Sequence, residues 1–174
     1  GVTWTDGPSF SATLGVGPEW EYIDHLGIYL FVQGSNGVTG TSTSPLGPYT
    51  LAGTIPGWSG STSVKILYVK KTKRTFILTA GLIRERLDDG TYVTRLTAPG
   101  FTISDAVDIP EMGALVAVGS GGQPSTAASL DGGTTWTRYT GLNSFRVLAW
   151  SPALARLVSI GQNVASYANA TCVI

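Results

Sequence analysis

The sequence predicts an all-β chain assembled from repeats of a little over forty residues, and three observations carry that prediction. Aromatic residues recur at Trp4, Tyr49, Tyr92 and Trp136, spaced 45, 43 and 44 residues apart. Aliphatic runs ending in glycine keep similar time: Tyr29–Gly34, Phe76–Gly81, Leu115–Gly119 and Leu157–Gly161, with the glycines 47, 38 and 42 residues apart. The composition agrees, since charged residues make up only 13% of the chain, 23 residues are glycine, and no stretch carries a convincing 3.6-residue period. Two registers at one period point to the blades of a small β-propeller, each of four antiparallel strands.

Taken in order, each blade should contain an apolar strand, a second apolar strand ending in Gly, a strand of small residues, a turn, and an aromatic-bearing fourth strand. The 174 residues make one domain, long enough to bury about two thirds of the unfolded surface. The blades divide as 16–61, 62–102, 103–143 and 144–174, with the strands running from Trp20 to about Thr54, Val64 to Leu96, Ala106 to Tyr139 and Phe145 to Ile174. Asp88-Asp89-Gly90 and Asp131-Gly132-Gly133 are tight-turn sequences, in which Asp accepts backbone N–H bonds and Gly takes positive φ. Ser44-Pro45-Leu46-Gly47-Pro48-Tyr49 keeps the Gly and the aromatic but loses the Asp. Ser151-Pro152-Ala153-Leu154-Ala155-Arg156 reads as a loop between strands.

One turn is spelled more fully than the others. Ser129-Leu130-Asp131-Gly132-Gly133-Thr134-Thr135-Trp136 resembles the Asp-box, the hairpin-turn motif of sialidase-type propeller blades. Val147-Leu148-Ala149-Trp150-Ser151-Pro152 with Leu157-Val158 resembles repeats of bacteriophage tail and other virion proteins. The resemblance implies a structural role for Ser129, Asp131, Gly133 and Trp136, and a place in a phage particle. Gly1-Val2-Thr3-Trp4-Thr5 is similar to the residues that follow an Asp-box turn. The last repeat stops after its third strand, Val164-Ala165-Ser166-Tyr167, so the N-terminal strand is expected to complete it and close a four-bladed ring. The other arrangement open to the same strand is to complete a neighbouring copy, giving an array or a swapped oligomer.

Charge is balanced overall, with 11 basic and 11 acidic residues, but it is unevenly placed. Residues 1–64 hold Asp6, Glu19, Glu21 and Asp24 and no Lys or Arg, whereas 65–95 hold Lys65, Lys70, Lys71, Lys73, Arg74, Arg84, Arg86 and Arg95. A solvated hairpin tip accounts for such a run, as does a basic surface facing an acidic neighbour. Nucleic acid is not an expected partner of a neutral domain. No apolar run approaches the eighteen or so residues of a membrane helix, so membrane insertion is not expected. Cys172 is the single cysteine and sits in an apolar Cys-Val-Ile, the setting of a small buried hydrophobe.

These features do not favour catalysis. The sialidase resemblance would imply arginines converging from separate blades, yet Arg84, Arg86 and Arg95 fall in one repeat. A glycosidase pair of carboxylates some 5–10 Å apart is not singled out, although Glu19, Glu21 and Asp24 are close in sequence. His25 is the only histidine, which suits a structural role better than a metal site. Gly119-Ser120-Gly121-Gly122 follows a strand without opening a helix, so it offers phosphate no helix terminus. No cofactor and no metal are expected. Two roles remain: a virion component that assembles with other particle proteins or with copies of itself, and a lectin-like module that binds a cell-surface glycan. For the second, Trp58 in its Gly- and Ser-flanked loop, Trp20 and Tyr139 are the candidate ligand-binding aromatics.

Overall fold

The computed structural model describes residues 18–58, 60, 63–121, 125–139, 144–162 and 172–173. Among them every helix or strand element is a strand: β1 (Pro18–Ile23), β2 (Ile28–Gln33), β3 (Val38–Ser42), β4 (Thr50–Thr54), β5 (Val64–Val69), β6 (Arg74–Arg86), β7 (Tyr92–Ile109), β8 (Ala114–Ser120), β9 (Thr126–Ser129), β10 (Thr137–Tyr139), β11 (Ser144–Ser151), β12 (Arg156–Gln162) and β13 (Cys172–Val173). They form three antiparallel sheets, β1 to β4, β5 to β10 and β11 to β13, each with its strands in sequence order. No barrel closes.

Four hairpins are built alike. β1–β2, β5–β6, β7–β8 and β11–β12 each pair up to a turn, at 24–27, 70–73, 110–113 and 152–155. The last turn residue is left-handed every time: Gly27 (φ 64°), Lys73 (55°), Gly113 (63°) and Ala155 (47°). The stretch 152–155, read from sequence as a loop, is thus the fourth copy of one turn. In three of the four, the same pair of backbone bonds closes it, as in Leu26 N to Ile23 O and Gly27 N to Asp24 O.

The turns give the hairpins a common register. Counting back from the last strand residue, Ile23, Val69, Ile109 or Ser151, equivalent positions fall on equivalent faces because side chains alternate along a strand. Ile23 of the first hairpin packs with Ile66 and Tyr68 of the second, together with Leu30, Val32 and Ile77. Leu67 and Val69 then pack with Ala106 of the third, in a core that includes Phe76, Leu78, Phe101 and Leu115. Ile109 in turn packs with Leu148 of the fourth, alongside Val116, Val118 and Leu157. Each hairpin lays one face on the opposite face of the next.

Among the described residues, the first sheet has the four strands expected of a blade. Residues 62–143, expected as two such blades, contribute β5 to β10 of one six-stranded sheet, because β7 runs through the boundary expected between 102 and 103. Arg74–Thr79 pair with β5, while Leu82–Arg86 pair with Tyr92–Thr97, and Thr102–Ile109 pair with β8. Glycine makes this possible. Gly81 (φ 75°) sits at a register shift, and a β-carbon there would lie 3.2 Å from the Ala98 carbonyl oxygen. The strand turns back at this point: Arg74 and Glu85 would be roughly 36 Å apart along an extended strand, yet their side chains bond at 2.7 Å. The hairpin 82–97 folds over accordingly and inserts Ile83 and Leu96 into the central core.

In the third sheet, β12 pairs with β13 at Cys172–Val173. The expected strand Val164–Tyr167 and the expected closing strand Gly1–Thr5 both lie outside the described residues.

Candidate functional site

The first sheet turns an aromatic face away from the rest of the described structure. Trp20 and Tyr22 alternate along β1, and the pairing with β2 sets them opposite Phe31 and Tyr29. The Tyr22 and Tyr29 rings lie 4.8 Å apart, tilted by 40°. Gly40 faces Phe31 because a β-carbon there would come within 2.3 Å of the ring. Tyr49 meets Phe31 edge-on at 5.3 Å and donates its hydroxyl to the Pro45 carbonyl at 2.9 Å. Trp20, Glu21, Tyr22, Tyr29, Pro45 and Tyr49 line a cleft of about 430 Å³. Burial pushes the Tyr49 hydroxyl above its ordinary value, and burial also raises the Glu21 carboxyl against the opposing pull of Lys65. Aromatic faces beside a carboxylate and phenolic hydroxyls are the groups that hold a sugar ring.

The three aromatics singled out from sequence do not converge. Trp20 lines this cleft. Trp58 instead packs over Gly37, where a β-carbon would lie 2.4 Å from its ring, and donates Nε1 to the Gly34 carbonyl at 3.0 Å. Its ring borders the core between the first sheet and β5. Tyr139 borders a second, apolar groove of about 450 Å³ between the β8–β9–β10 edge and β11–β12, shared with Met112, Leu130, Trp150 and Leu157. Tyr22, Tyr29 and Tyr49 were missed. Their signal was the period-two spacing of Trp20 and Tyr22, obscured because the aliphatic run 29–34 reads as core throughout.

A polar spine crosses the inner strands. Glu19, Lys65 and Asp105 occupy the same position in the first three hairpins, each four residues before the last strand residue. Lys65 Nζ lies 3.4 Å from Glu19 and 3.5 Å from Asp105. Burial works against the Lys65 ammonium, but the two carboxylates outweigh it and raise its pKa. Asp105 also accepts from the amides of Ala106 at 2.9 Å and Leu148 at 2.8 Å, tying in β11. Both carboxylates face the ammonium, an arrangement that joins sheets and leaves no free acid and base opposed across a gap.

Three of the eight basic residues of the second repeat, Lys65, Arg74 and Arg95, pair with acids of the chain. Glu85 is buried and binds Arg74 through both oxygens, at 2.7 and 2.8 Å, and Arg95 at 2.6 and 2.8 Å. The Arg74 hydrogen bonds, seconded by Arg95 and opposed by burial, hold the Glu85 carboxyl below the ordinary Glu range. Arg74 reaches on to the Gly132 carbonyl at 2.6 Å and Thr134 Oγ1 at 3.0 Å. The Ser129–Trp136 turn thereby docks on the start of β6. Asp131 accepts from the Thr134 amide and from the Thr135 amide and hydroxyl, and Ser129 Oγ accepts from the Gly133 amide at 2.7 Å. These bonds, led by the Thr135 amide, push the Asp131 carboxyl far down. Trp136 closes the turn through Nε1 to the Gly133 carbonyl and stacks edgewise on Phe76.

His25 bridges the first sheet to the 82–97 hairpin. Its Nδ1 lies 3.0 Å from the Tyr68 hydroxyl and its Nε2 3.0 Å from Asp88, while Tyr68 donates to Asp24. Among the described residues, no three His, Cys, Asp or Glu side chains are grouped so as to hold a metal.

No protein-family model matches the chain, and no curated protein does. Solved structures do resemble it. A Bacteroides uniformis protein assigned as a 6-phosphogluconolactonase superposes with a TM-score of 0.60 at 14% identity, over 95% of this chain and 56% of its own. A GH43 β-1,3-galactosidase, BT0265, gives 0.47 at 14% over 86% and 40%, and a Bifidobacterium bifidum protein assigned as an exo-β-1,3-galactanase gives 0.47 at 13% over 90% and 65%. The chain spans a little over half the length of the first of these. At such identity that likeness is one of fold.

Proposed function

We propose that this chain is a non-enzymatic propeller-type module of a bacteriophage particle, in the tail or on the surface, that serves assembly. The observation that carries the assembly role is the solvent-exposed apolar surface on the first and last sheets of the hairpin stack. Trp20 and Tyr22 are 42% and 44% exposed on the first sheet, and Val147 and Ile160 are 51% and 55% exposed on the last. Apolar surface of this kind, clustered at the two ends rather than scattered, marks a site to be covered. The phage setting rests on the resemblance of the 147–158 run and the Ser129–Trp136 turn. The four-bladed ring is the alternative: there Gly1–Thr5 adds the outer strand to the last sheet and the two end surfaces cover each other within one chain.

The aromatic cleft favours a second role, attachment to a cell-surface glycan through Trp20, Tyr22 and Tyr29. Light scattering on the chain with and without residues 1–5 tests the assembly reading. Oligomers that dissociate on the deletion place that strand in a neighbour; a monomer that loses its cooperative unfolding places it in its own ring. An unaltered, fully stable monomer in both cases would remove the support for either closure. For attachment, a glycan array probed with wild type and Trp20→Ala is decisive, since stacking predicts saturable binding lost in the variant.

A further inference from the structure

We infer that Arg84 anchors a binding site for an oxyanion, a phosphate- or carboxylate-type group, at the joint between the 82–97 hairpin and the turn at 55–58. The site is independent of the assembly reading and uses a side chain that reading leaves idle.

The acids nearest to Arg84 are engaged elsewhere. Glu85 lies between Arg74 and Arg95, Asp88 meets His25, and Asp89 accepts from the Thr91 amide and hydroxyl. Arg86 donates to the Leu87 carbonyl at 3.2 Å. Arg84 Nη1, by contrast, is closed to water and meets no hydrogen-bond partner among the described residues. A guanidinium is a fork of N–H donors that keeps its charge throughout the physiological range, so it cannot shed a proton to escape burial. Burial lowers the Arg84 pKa, with only Tyr92 acting the other way. At Lys65 burial is outweighed by two carboxylates, and at Arg74 the Glu85 hydrogen bonds lead. A buried charge is ordinarily paired, and an orphaned donor in a folded protein calls for an ion or a partner to complete it.

The surroundings suit an oxyanion. β6 and β7 pair Arg84 with Thr94 and Arg86 with Tyr92, so two hydroxyls share one face of the hairpin with two guanidiniums. Glu85, between the two arginines in sequence, faces the other way, where Arg74 and Arg95 hold it. The guanidinium crosses to the 55–58 turn because bare backbone meets it there: a β-carbon on Gly57 (φ 63°) would lie 3.2 Å from Arg84 Nη2. Trp58 and Tyr92 border one apolar core beside this joint, and the low dielectric of such a neighbourhood strengthens a charge-assisted hydrogen bond. Thr94 is exposed and Arg84 half-buried, so a turn about the terminal torsions of Arg84 brings Nη1 to an anion entering from solvent. The planar fork then matches two oxygens of a phosphate or carboxylate at once.

Titrating the isotope-labelled chain with inorganic phosphate, at neutral pH and constant ionic strength, tests this by nuclear magnetic resonance. The readout is the Arg84 side-chain Nε–H resonance, assigned by its loss in Arg84→Met. It should shift saturably, with half-saturation at about 1 mM, the strength of two charge-assisted bonds. In calorimetry Arg84→Met should raise the dissociation constant about tenfold or more. In anion-free buffer the same variant should melt no lower than wild type, because it removes a donor that had no acceptor. Acetate in place of phosphate separates the ligand classes. A matching response assigns oxyanions in general, and a response to only one of the two assigns a ligand bearing that group. No saturable shift with either anion overturns the inference. Binding that persists in Arg84→Met overturns it too, as does a variant that is less stable than wild type without anion, which would make the guanidinium part of the fold. None of these outcomes bears on the assembly reading.

Discussion

Glu85 should be among the most sensitive surface-distant residues of the chain. Its side chain is 7% exposed and sits between two guanidiniums, Arg74 at 18% and Arg95 at 26%, making four contacts of 2.6–2.8 Å. Glu85→Ala removes the shared anion and leaves both cations half-enclosed. Breaking a buried pair from one side costs about 3–5 kcal/mol. Arg74 keeps the Gly132 carbonyl and both arginines retain some water, so the lower end applies, about 3 kcal/mol. In a chain of this size that corresponds to a fall in Tm of roughly 6–12 °C. Urea and thermal unfolding followed by circular dichroism would measure it. The effect also carries a pH signature. The folded Glu85 carboxyl lies below its ordinary value of 4.5, so its contribution is complete above pH 4.5 and is lost as pH falls through the lower folded value. The gap between wild type and Glu85→Gln should therefore narrow steadily in acid. A loss under about 1 kcal/mol at pH 7, or a gap indifferent to pH, would refute the idea that this triad pins the 82–97 hairpin.

Three further outcomes follow from the geometry. Gly133→Ala places a β-carbon 2.1 Å from the Phe76 ring at a φ of 92°, and should cost about 2–4 kcal/mol, read as a lowered urea midpoint. Lys73→Gly and Ala155→Gly relieve left-handed strain at exposed turns and should each stabilise by about 0.5–1 kcal/mol, whereas Gly27→Ala and Gly113→Ala should do the reverse. Asp131→Asn should destabilise at neutral pH and converge with wild type in acid, because a carboxyl depressed by the Thr135 and Ser129 bonds contributes above its ordinary 3.8 and ceases to contribute as pH drops below it; acid titration of both proteins by near-UV dichroism would show it.

The strands themselves were legible, because β-branched and aliphatic runs punctuated by Gly and Asp have few other readings. The Asp88-Asp89-Gly90 turn and the Ser129–Trp136 turn fall where their residues place them, between Arg86 and Tyr92 and between β9 and β10. Sheet membership was not legible. Gly81 and Gly100 look like strand ends, and a left-handed glycine serves equally well to end a strand or to bend one that continues. The common hairpin turn stayed hidden because Lys73 and Ala155 occupy the left-handed position that Gly27 and Gly113 advertise. Pairing was the other gap. The acidic first third and basic second repeat read as a solvated tip or as a basic surface facing an acidic neighbour, and neither reading named the pairs: Lys65 joins Glu19, Arg74 and Arg95 join Glu85, and His25 joins Asp88. Partners brought together only by the fold, whether 10 or 63 residues apart, leave no local trace. Trp58 misled for a related reason: its flanking Gly and Ser suggested an open loop, while the ring fills the space that Gly37, twenty-one residues earlier, vacates.

The continuity of β6 and β7 through the middle of the chain bears on how the molecule would give way under tension. The leaf containing β5 and the leaf containing β8 share backbone ladders along two strands, so pulling them apart must strip hydrogen bonds one after another. Among the described residues, the first and last sheets meet that middle through side chains, by the Lys65 spine and the packed cores on either side. A stretched chain would therefore shed its two outer sheets first and keep the central pair as a mechanical kernel. Under shear, the flanks would act as fuses and the kernel as the anchor.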